Sequence, residues 1–225
     1  MKRRLLLGAL ATLLLSVVLT ISPRPAHAAG YSRVDAANWA YTNAEPDPYN
    51  WEDCTLFVSL ALENGYLPED ATWNTYTNHG HLTVVPATPT ATVSYLLVGY
   101  LINMGYAQEY TLDFTGSNAA VPMEPGDIIA YDFGYKPASG YGFRADHLSI
   151  VVGIASGDYP YVSEWGHPGY YYQRGWSWSE ANGEWLQTEY NDAHYGGNPD
   201  NHSGVSIQAH LLHFVIGTYY DGVTA

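Results

Sequence analysis

The apolar residues of this chain change their spacing part-way along the sequence. In the first half, apolar side chains recur at helical intervals over three stretches, residues 31–43, 54–64 and 90–108. In the second half, β-branched and aromatic runs bounded by Gly, Asp and Pro predict strands at 127–133, 147–156 and 159–165, with one or two more between 204 and 220. Helices followed by consecutive antiparallel strands predict an α+β domain, in which the early helices pack on one small antiparallel sheet.

Local signals mark the ends of these helices. Asp53 can act as the N-cap of the second helix, and Gly65 is expected to end it. The first helix is expected to turn an apolar face that includes Ala37 and Tyr41 toward the core. Residues 69–90 predict an exposed loop between the second helix and the third.

The first 28 residues have the three parts of a secretory signal peptide. A positive segment at residues 2–4 precedes an apolar run over residues 5–21, and the small-x-small cleavage pattern AHA follows at residues 26–28. A membrane anchor is the weaker alternative, because the apolar run is slightly short and a cleavage site follows it directly. We therefore expect a secreted protein whose mature chain, residues 29–225, forms a single domain.

The mature chain would carry few positive charges. The sequence has eight Lys and Arg residues against 22 Asp and Glu residues, and the signal peptide takes away four basic residues and no acidic ones. Four minus 22 gives a mature charge of −18. Nucleic acid and anionic membranes are therefore poor partners, because few cations remain to bind phosphate, namely Arg33, Lys136, Arg144 and Arg174.

The chain has one cysteine, Cys54, so no intramolecular disulfide can form. A leftover thiol in an exported protein is either buried and inert or kept for its reactivity. Cys54 stands where the second helix is predicted to begin, and the unpaired N–H groups of a helix N-terminus stabilise a thiolate. The same N–H groups can bind the oxyanion of a tetrahedral intermediate, so Cys54 is a candidate nucleophile.

A thiol nucleophile needs a base within hydrogen-bonding reach, and the base needs a third group that orients it. His147 opens a strongly predicted strand, so its ring can lie at the sheet edge facing a helix end. The next strand ends near Glu164, and the short turn between the two strands predicts a hairpin that brings Glu164 close to His147. We interpret Cys54, His147 and Glu164 as a candidate catalytic triad.

Five segments of the sequence carry a family resemblance. DCTLFVSLAL is similar to the DCTNFVSQ signature of the "Putative amidase domain" family, a branch of the papain-like NlpC/P60 and CHAP cysteine peptidases and amidases. YSRVDAANWAYTN resembles the Tyr-x-Arg-x-x-Ala start of that family, and PGDIIAYDF and DHLSIVVG resemble its strands around the base. YVSEWG is similar to the SEQN stretch of CHAP domains, which supplies the third residue. The resemblance covers about residues 31–167.

The resemblance implies a papain-like fold of the NlpC/P60 type, with Cys54 as the nucleophile, His147 as the base and Glu164 as the third residue. It also implies a secreted cysteine amidase or peptidase that acts by acyl transfer. The implied substrate is peptidoglycan, cut either within its stem peptide or at the amide that joins the peptide to the sugar. We expect no cofactor, no nucleic-acid partner, no membrane association and a monomeric protein.

The sequence departs from the family pattern near two of these residues. Leu56 and Leu60 stand where the family has Asn and Gln, which leaves both altered substrate contacts and loss of activity open. Trp165 and Gly166 replace the Asn that follows Glu in CHAP domains, so His167 is an alternative orienter of the base.

Other readings of the sequence compete with a cysteine enzyme. The aromatic segment 167–190 either covers the sheet, which is the commoner use of aromatic residues, or forms a wall of the substrate cleft. The pairs His79/His81 and His210/His213 lack the ligand spacing of a zinc site, so we expect no metal. A secreted, non-catalytic binding module on the same fold is the main alternative function. Acyl transfer to an amine instead of water is a third possibility.

Overall fold

The helices of this chain precede its main strands, which is the order that the sequence pattern predicts. The structure is a computed structural model, and it describes residues 30–44, 54–78, 81–82, 87–114, 118, 120–132, 144–155, 159–165, 173–179, 184–185 and 208–216. The helices are α1 (Arg33–Asn43), α2 (Cys54–Asn64), α3 (Pro89–Thr92) and α4 (Ser94–Asn103). The strands are β1 (Thr77–Asn78), β2 (His81–Leu82), β3 (Ala107–Leu112), β4 (Ile128–Asp132), β5 (His147–Ala155), β6 (Tyr159–Ser163), β7 (Gln173–Gly175), β8 (Trp178–Ser179), β9 (Glu184–Trp185) and β10 (Gln208–Phe214).

One six-stranded sheet organises these elements. Its strand order is β3-β10-β4-β5-β6-β7, and each neighbouring pair is antiparallel. Strand β10 is the last of the described strands in the sequence, yet it lies between β3 and β4 in the sheet. Helices packed with an antiparallel sheet confirm the predicted α+β class.

The two faces of the sheet carry separate apolar cores. The larger core lies between the helices and the sheet and includes Phe57, Leu101 and Ile150. The smaller core lies on the other face and includes Tyr131 and Trp176. Alternation of side chains along β4 explains the division, because successive residues of a strand point to opposite faces.

Helix α2 is buried along most of its length. All nine residues from Cys54 to Leu62 are buried, because α1, the α3–α4 pair and β5 surround this helix. A helix that is apolar on every side belongs in the centre of a domain. The first turn of α2 is therefore held against the sheet by the larger core.

A buried ion pair joins α1 to the sheet. Arg33, near the start of α1, donates to the Asp127 carboxylate and, at 3.0 Å, to the carbonyl oxygen of Phe214. Asp127 directly precedes β4, and its Oδ2 accepts a hydrogen bond of 2.9 Å from the backbone N–H of Glu124. The position of α1 on the sheet thus depends on Arg33. In the sequence Arg33 counted among the few cations that could bind phosphate, but its side chain is committed to this ion pair.

Several predicted elements need correction. Tyr41 was expected on the apolar face of α1 but is 60% exposed, while Arg33 is buried in its place. Residues 69–90 were expected to be an exposed loop, yet Trp73 and Thr75 are buried there because both side chains find hydrogen-bond partners. The helix expected over residues 90–108 breaks at Val93 and gives way to β3.

The strands expected at residues 127–133, 147–156 and 159–165 are confirmed as β4, β5 and β6, and the strand near the C-terminus is confirmed as β10. The structure adds the edge strands β3 and β7, which the sequence pattern did not indicate. No helix among the described residues has the length and apolarity needed to cross a bilayer. The predicted signal peptide, residues 1–28, lies outside the described residues.

The end of α2 uses Gly65 for a different reason from the one expected. The residue in the left-handed conformation is Tyr66, with φ 64°, not Gly65. A Cβ on Gly65 would lie 2.8 Å from Cβ of Ala36 and from the carbonyl oxygen of Ser32. Gly65 therefore ends α2 where α1 passes too closely for any side chain.

Gly126→Ala is expected to lower the free energy of unfolding by more than Gly105→Ala does. Both glycines have positive φ, 89° and 68°, so alanine at either position costs about 1 kcal/mol in backbone strain. At Gly126 an added Cβ would also lie 2.7 Å from the carbonyl oxygen of Arg33, whereas nothing lies within 4 Å at Gly105. Urea unfolding should show a further loss of about 1–3 kcal/mol for Gly126→Ala. Equal losses would contradict the close approach of α1 to this turn.

Candidate active site

The candidate nucleophile and base lie at the ends of two packed elements. Cys54 is the first residue of α2, and His147 is the first residue of β5. Helix α2 packs directly on β5, and Cys54 lies close enough to His147 to shift its pKa, so the N-terminus of the helix lies near the start of the strand. The Cys54 residue is 7% exposed, and its Sγ lies 3.9 Å from Oγ1 of Thr55. The expected N-cap, Asp53, lies outside the described residues.

The hairpin of β5 and β6 brings Glu164 to His147. The two strands are antiparallel, with Ile150 opposite Ser163, so the residue after β6 lies beside the start of β5. Glu164 is that residue, and its Oε2 lies 2.9 Å from Nε2 of His147. The expected proximity of these two side chains is confirmed.

Two negative partners favour the charged form of His147. Burial alone would lower the pKa of His147, but the charge of Cys54 and then that of Glu164 outweigh it and raise the pKa to about 10. Hydrogen bonds to both groups act in the same direction. Because Nε2 faces Glu164, the other ring nitrogen, Nδ1, is the one left for Cys54. The imidazole therefore lies between a thiol and a carboxylate.

An arginine that the sequence analysis did not single out completes the site. Arg174, on β7, binds both oxygens of the Glu164 carboxylate, with Nε 3.0 Å from Oε1 and Nη2 2.9 Å from Oε2. Burial would raise the pKa of Glu164, but the charges of Arg174 and then His147 outweigh it and lower that pKa to about 2. Glu164 is thus held as a carboxylate between two cationic groups. The only signal in the sequence was that Arg174 is one of the few basic residues beyond the signal peptide.

Arg174 is itself fixed by neighbours on the same face of the sheet. Its Nη1 donates to the carbonyl oxygens of Gly175 and Trp176, both at 3.0 Å, and approaches the Tyr131 hydroxyl at 3.4 Å. The guanidinium carbon lies 5.3 Å from the centroid of the Tyr131 ring. The Tyr131 hydroxyl in turn donates to the Trp176 carbonyl oxygen at 2.6 Å. Arg174 and Tyr131 are therefore hydrogen-bonded to the backbone at the end of β7 and just beyond it.

Two residues of α2, Leu56 and Leu60, depart from the family pattern, and both pack in the interior of the protein in this structure. Leu56 and Leu60 are both buried and belong to the larger core. Trp165, which follows Glu164, packs its ring on Phe57 with centroids 5.4 Å apart, and its Nε1 donates to the carbonyl oxygen of Asn43 at 3.2 Å. These side chains hold α2 against the end of β6. The alternative orienter, His167, lies outside the described residues.

Two described histidines away from this site, His210 and His213, lie beside carboxylates. His213 lies 3.0 Å from the Asp127 carboxylate, and His210 lies 2.8 Å from the Glu109 carboxylate. Within the described residues, no group of three His, Cys, Asp or Glu side chains has the arrangement of a metal site. His79 and most of the aromatic segment 167–190 lie outside those residues, although Trp176 is buried and stacks on Phe114 at 5.0 Å.

The profile of the family described as "Putative amidase domain" matches residues 25–188, more than half of the chain. The chain belongs to this family. The family is one of enzymes that hydrolyse amides, and the matched range contains Cys54, His147, Glu164 and Arg174. The matched range ends before β10, so this inner strand of the six-stranded sheet lies beyond the match. No curated protein and no solved structure matches the chain.

The His147 imidazole is expected to stay protonated to unusually high pH. Its raised pKa means that the ring loses its charge only as the pH rises through about 10, against about 6.5 for an unperturbed imidazole. Glu164→Gln removes one of the two negative charges facing the ring, so the midpoint should move to lower pH. NMR titration of the ring C–H resonances measures both midpoints. Glu109→Gln, which alters the carboxylate beside His210, is the matched control and should leave the His147 midpoint in place. An unchanged midpoint in Glu164→Gln would show that Glu164 does not stabilise the imidazolium.

Proposed function

We propose that this protein is a secreted cysteine amidase that cleaves an amide bond of peptidoglycan through an acyl-enzyme on Cys54. In this proposal His147 is the base and Glu164 orients it. The observation that carries the proposal is the position of one imidazole, hydrogen-bonded to a buried carboxylate on one side and facing the only thiol of the chain on the other. This is the arrangement that nucleophilic catalysis by cysteine requires.

The reaction follows from the charges of these groups. The Cys54 thiolate, paired with the His147 imidazolium, attacks the carbonyl carbon of the amide and forms a carbon–sulfur bond. Cys54 lies at the N-terminus of α2, and the partial positive charge of that helix end stabilises the oxyanion that develops. His147 then gives its proton to the leaving amine as the carbon–nitrogen bond breaks. The neutral imidazole then takes a proton from water, whose oxygen bonds to the thioester carbon. The carbon–sulfur bond breaks, the acid product leaves, and the Cys54 thiolate and the His147 imidazolium are restored.

The choice of substrate rests on the resemblance of the motifs to NlpC/P60 and CHAP enzymes. Two amide bonds of peptidoglycan fit that resemblance, one within the stem peptide and one between the peptide and the sugar. The two outcomes differ in their products, since the first shortens the stem peptide and the second frees it whole. Transfer of the acyl group to an amine instead of water would appear as a cross-linked product.

A non-catalytic binding module on the same fold is the second candidate function. The low exposure of Cys54, 7%, favours it, because an inert buried thiol cannot act as a nucleophile. Alkylation of Cys54 by iodoacetamide at neutral pH separates the two candidates. Rapid labelling that slows in His147→Ala supports the enzyme, and labelling at the rate of an ordinary buried thiol supports the module.

Cys54→Ala should leave the fold intact and lower turnover on purified peptidoglycan by about 10³-fold or more, because it removes the nucleophile. Mass spectrometry of the released fragments measures turnover and identifies the bond. The matched control is Ser59→Ala on the same helix, which loses hydrogen bonds to Ala91 and Trp73 but no group of the site. That control should keep wild-type turnover at temperatures where it is folded. A Cys54→Ala protein that retains more than about a tenth of wild-type activity would contradict the assignment.

The proposal of secretion gives a separate prediction about processing. Cleavage after the AHA pattern should leave Ala29 as the first residue of the mature protein, and that protein should accumulate in the culture medium. N-terminal sequencing of protein from the medium and from the membrane fraction tests this. An uncleaved form retained in the membrane would overturn it.

A further inference from the structure

We propose that Arg174 is the positioning residue that holds the Glu164 carboxylate in the one orientation from which it can align His147. The proposal rests on the proposed function of the Cys54–His147–Glu164 site and adds a fourth member to it. Arg174 does not touch the reacting atoms, and its effect on the reaction passes through Glu164.

The first argument is the geometry of the Glu164–Arg174 pair. Two parallel hydrogen bonds, from Nε to Oε1 and from Nη2 to Oε2, fix both the position and the plane of the carboxylate. Oε2 is the same atom that faces Nε2 of His147, so the direction of the bond to the imidazole is fixed with it. A carboxylate without the guanidinium could rotate about its last side-chain bond and lose that direction.

The second argument is that Arg174 has anchors of its own. Nη1 donates to two backbone carbonyl oxygens and contacts the Tyr131 hydroxyl, so the guanidinium keeps its place without help from Glu164. A lysine ammonium has no planar fork and cannot bind both carboxylate oxygens while also reaching these carbonyls. The site therefore depends on arginine in particular and not on positive charge alone.

The third argument concerns the strand that carries Arg174. In the pairing of β6 with β7, Arg174 lies opposite Val162, which places its side chain on the face of the smaller core. The next residue, Gly175, has no room for a side chain, because a Cβ would lie 2.5 Å from the Tyr159 ring. This close packing fixes the distance of β7 from β6 and with it the reach of Arg174 to Glu164.

The fourth argument is the charge of Glu164 itself. A buried carboxylate is costly unless it is paired, and burial alone would favour its neutral form. The charge of Arg174 is the largest single influence that lowers the pKa of Glu164, so removal of Arg174 should let Glu164 take up a proton at higher pH. A protonated Glu164 no longer stabilises the imidazolium of His147, and the thiolate of Cys54 loses its partner.

The test measures two variants, Arg174→Met and Arg174→Lys, by the rate of iodoacetamide labelling of Cys54 against pH and by turnover on peptidoglycan. In Arg174→Met we expect kcat to fall about 10- to 100-fold, with KM little changed, because an orienting group is lost while the nucleophile and base remain. The acid side of the labelling profile should move to higher pH. In Arg174→Lys the profile should stay near that of the wild type, because the charge is kept, while kcat remains reduced.

Arg33→Met is the matched control. It removes another buried arginine that pairs with a buried carboxylate, Asp127, at the opposite end of β4. We expect Arg33→Met to lower the melting temperature but to leave the pH profile of the folded protein unchanged. Loss of stability alone therefore cannot imitate the result expected for Arg174→Met.

The outcomes separate this inference from the function on which it rests. If wild-type Cys54 is labelled no faster than in His147→Ala, the proposed function fails. If wild-type labelling does depend on His147 but Arg174→Met has the wild-type pH profile and kcat, the inference about Arg174 is wrong. Should Arg174→Met not fold, Arg174→Lys decides, since wild-type kcat in that variant would show that bidentate binding of Glu164 is not needed.

Discussion

The packing of the helices on the sheet depends on the buried carboxylate of Asp127. This group accepts hydrogen bonds from Arg33 on α1 and from the backbone N–H groups of Glu124 and Phe214, and it lies beside the ring of His213. A buried charge without such partners would cost several kcal/mol. Asp127 therefore holds together the start of α1, the turn before β4 and the end of β10.

A second charged cluster lies at the other end of β4. Tyr131, near the end of this strand, pairs with His147 in the strand register and contacts Arg174 through its hydroxyl group, so Glu164 and its two cationic partners gather there. The two clusters differ in their access to solvent. The Asp127 side chain is fully buried, whereas the His147 side chain is 23% exposed beside an almost fully buried Glu164. The same pairing of arginine with carboxylate thus serves as a structural link at one end of β4 and, on our proposal, as support for chemistry at the other.

The main helices and strands could be predicted from the sequence because the patterns that indicate them lie within short stretches of the chain. Strands β4, β5 and β6 are β-branched and aromatic runs. Cys54 and His147 each open an element, so their placement follows from helix and strand boundaries. Glu164 followed from a hairpin, which is still a local relation. Strand β3 was missed because it follows α4 after a short turn and its polar residues suit an edge strand as well as a helix end. Arg174 could not be found this way, since its contact with Glu164 depends on the register of a three-residue edge strand.

The pairing of Glu164 with Arg174 also explains how a carboxylate can serve at this position in a chain with so few cations. If the third residue were Asn or Gln, its neutral amide could orient the imidazole, and its burial would not require a cationic partner. A buried glutamate, by contrast, would take up a proton and lose its influence on His147 unless a cation offset its burial. Counted as ions, Cys54 and Glu164 supply two negative charges, and His147 and Arg174 supply two positive ones. On our proposal the four groups are thus neutral together, which favours an ion pair of Cys54 and His147 in a buried site. One of the eight basic residues of the sequence, Arg174, is committed to that balance.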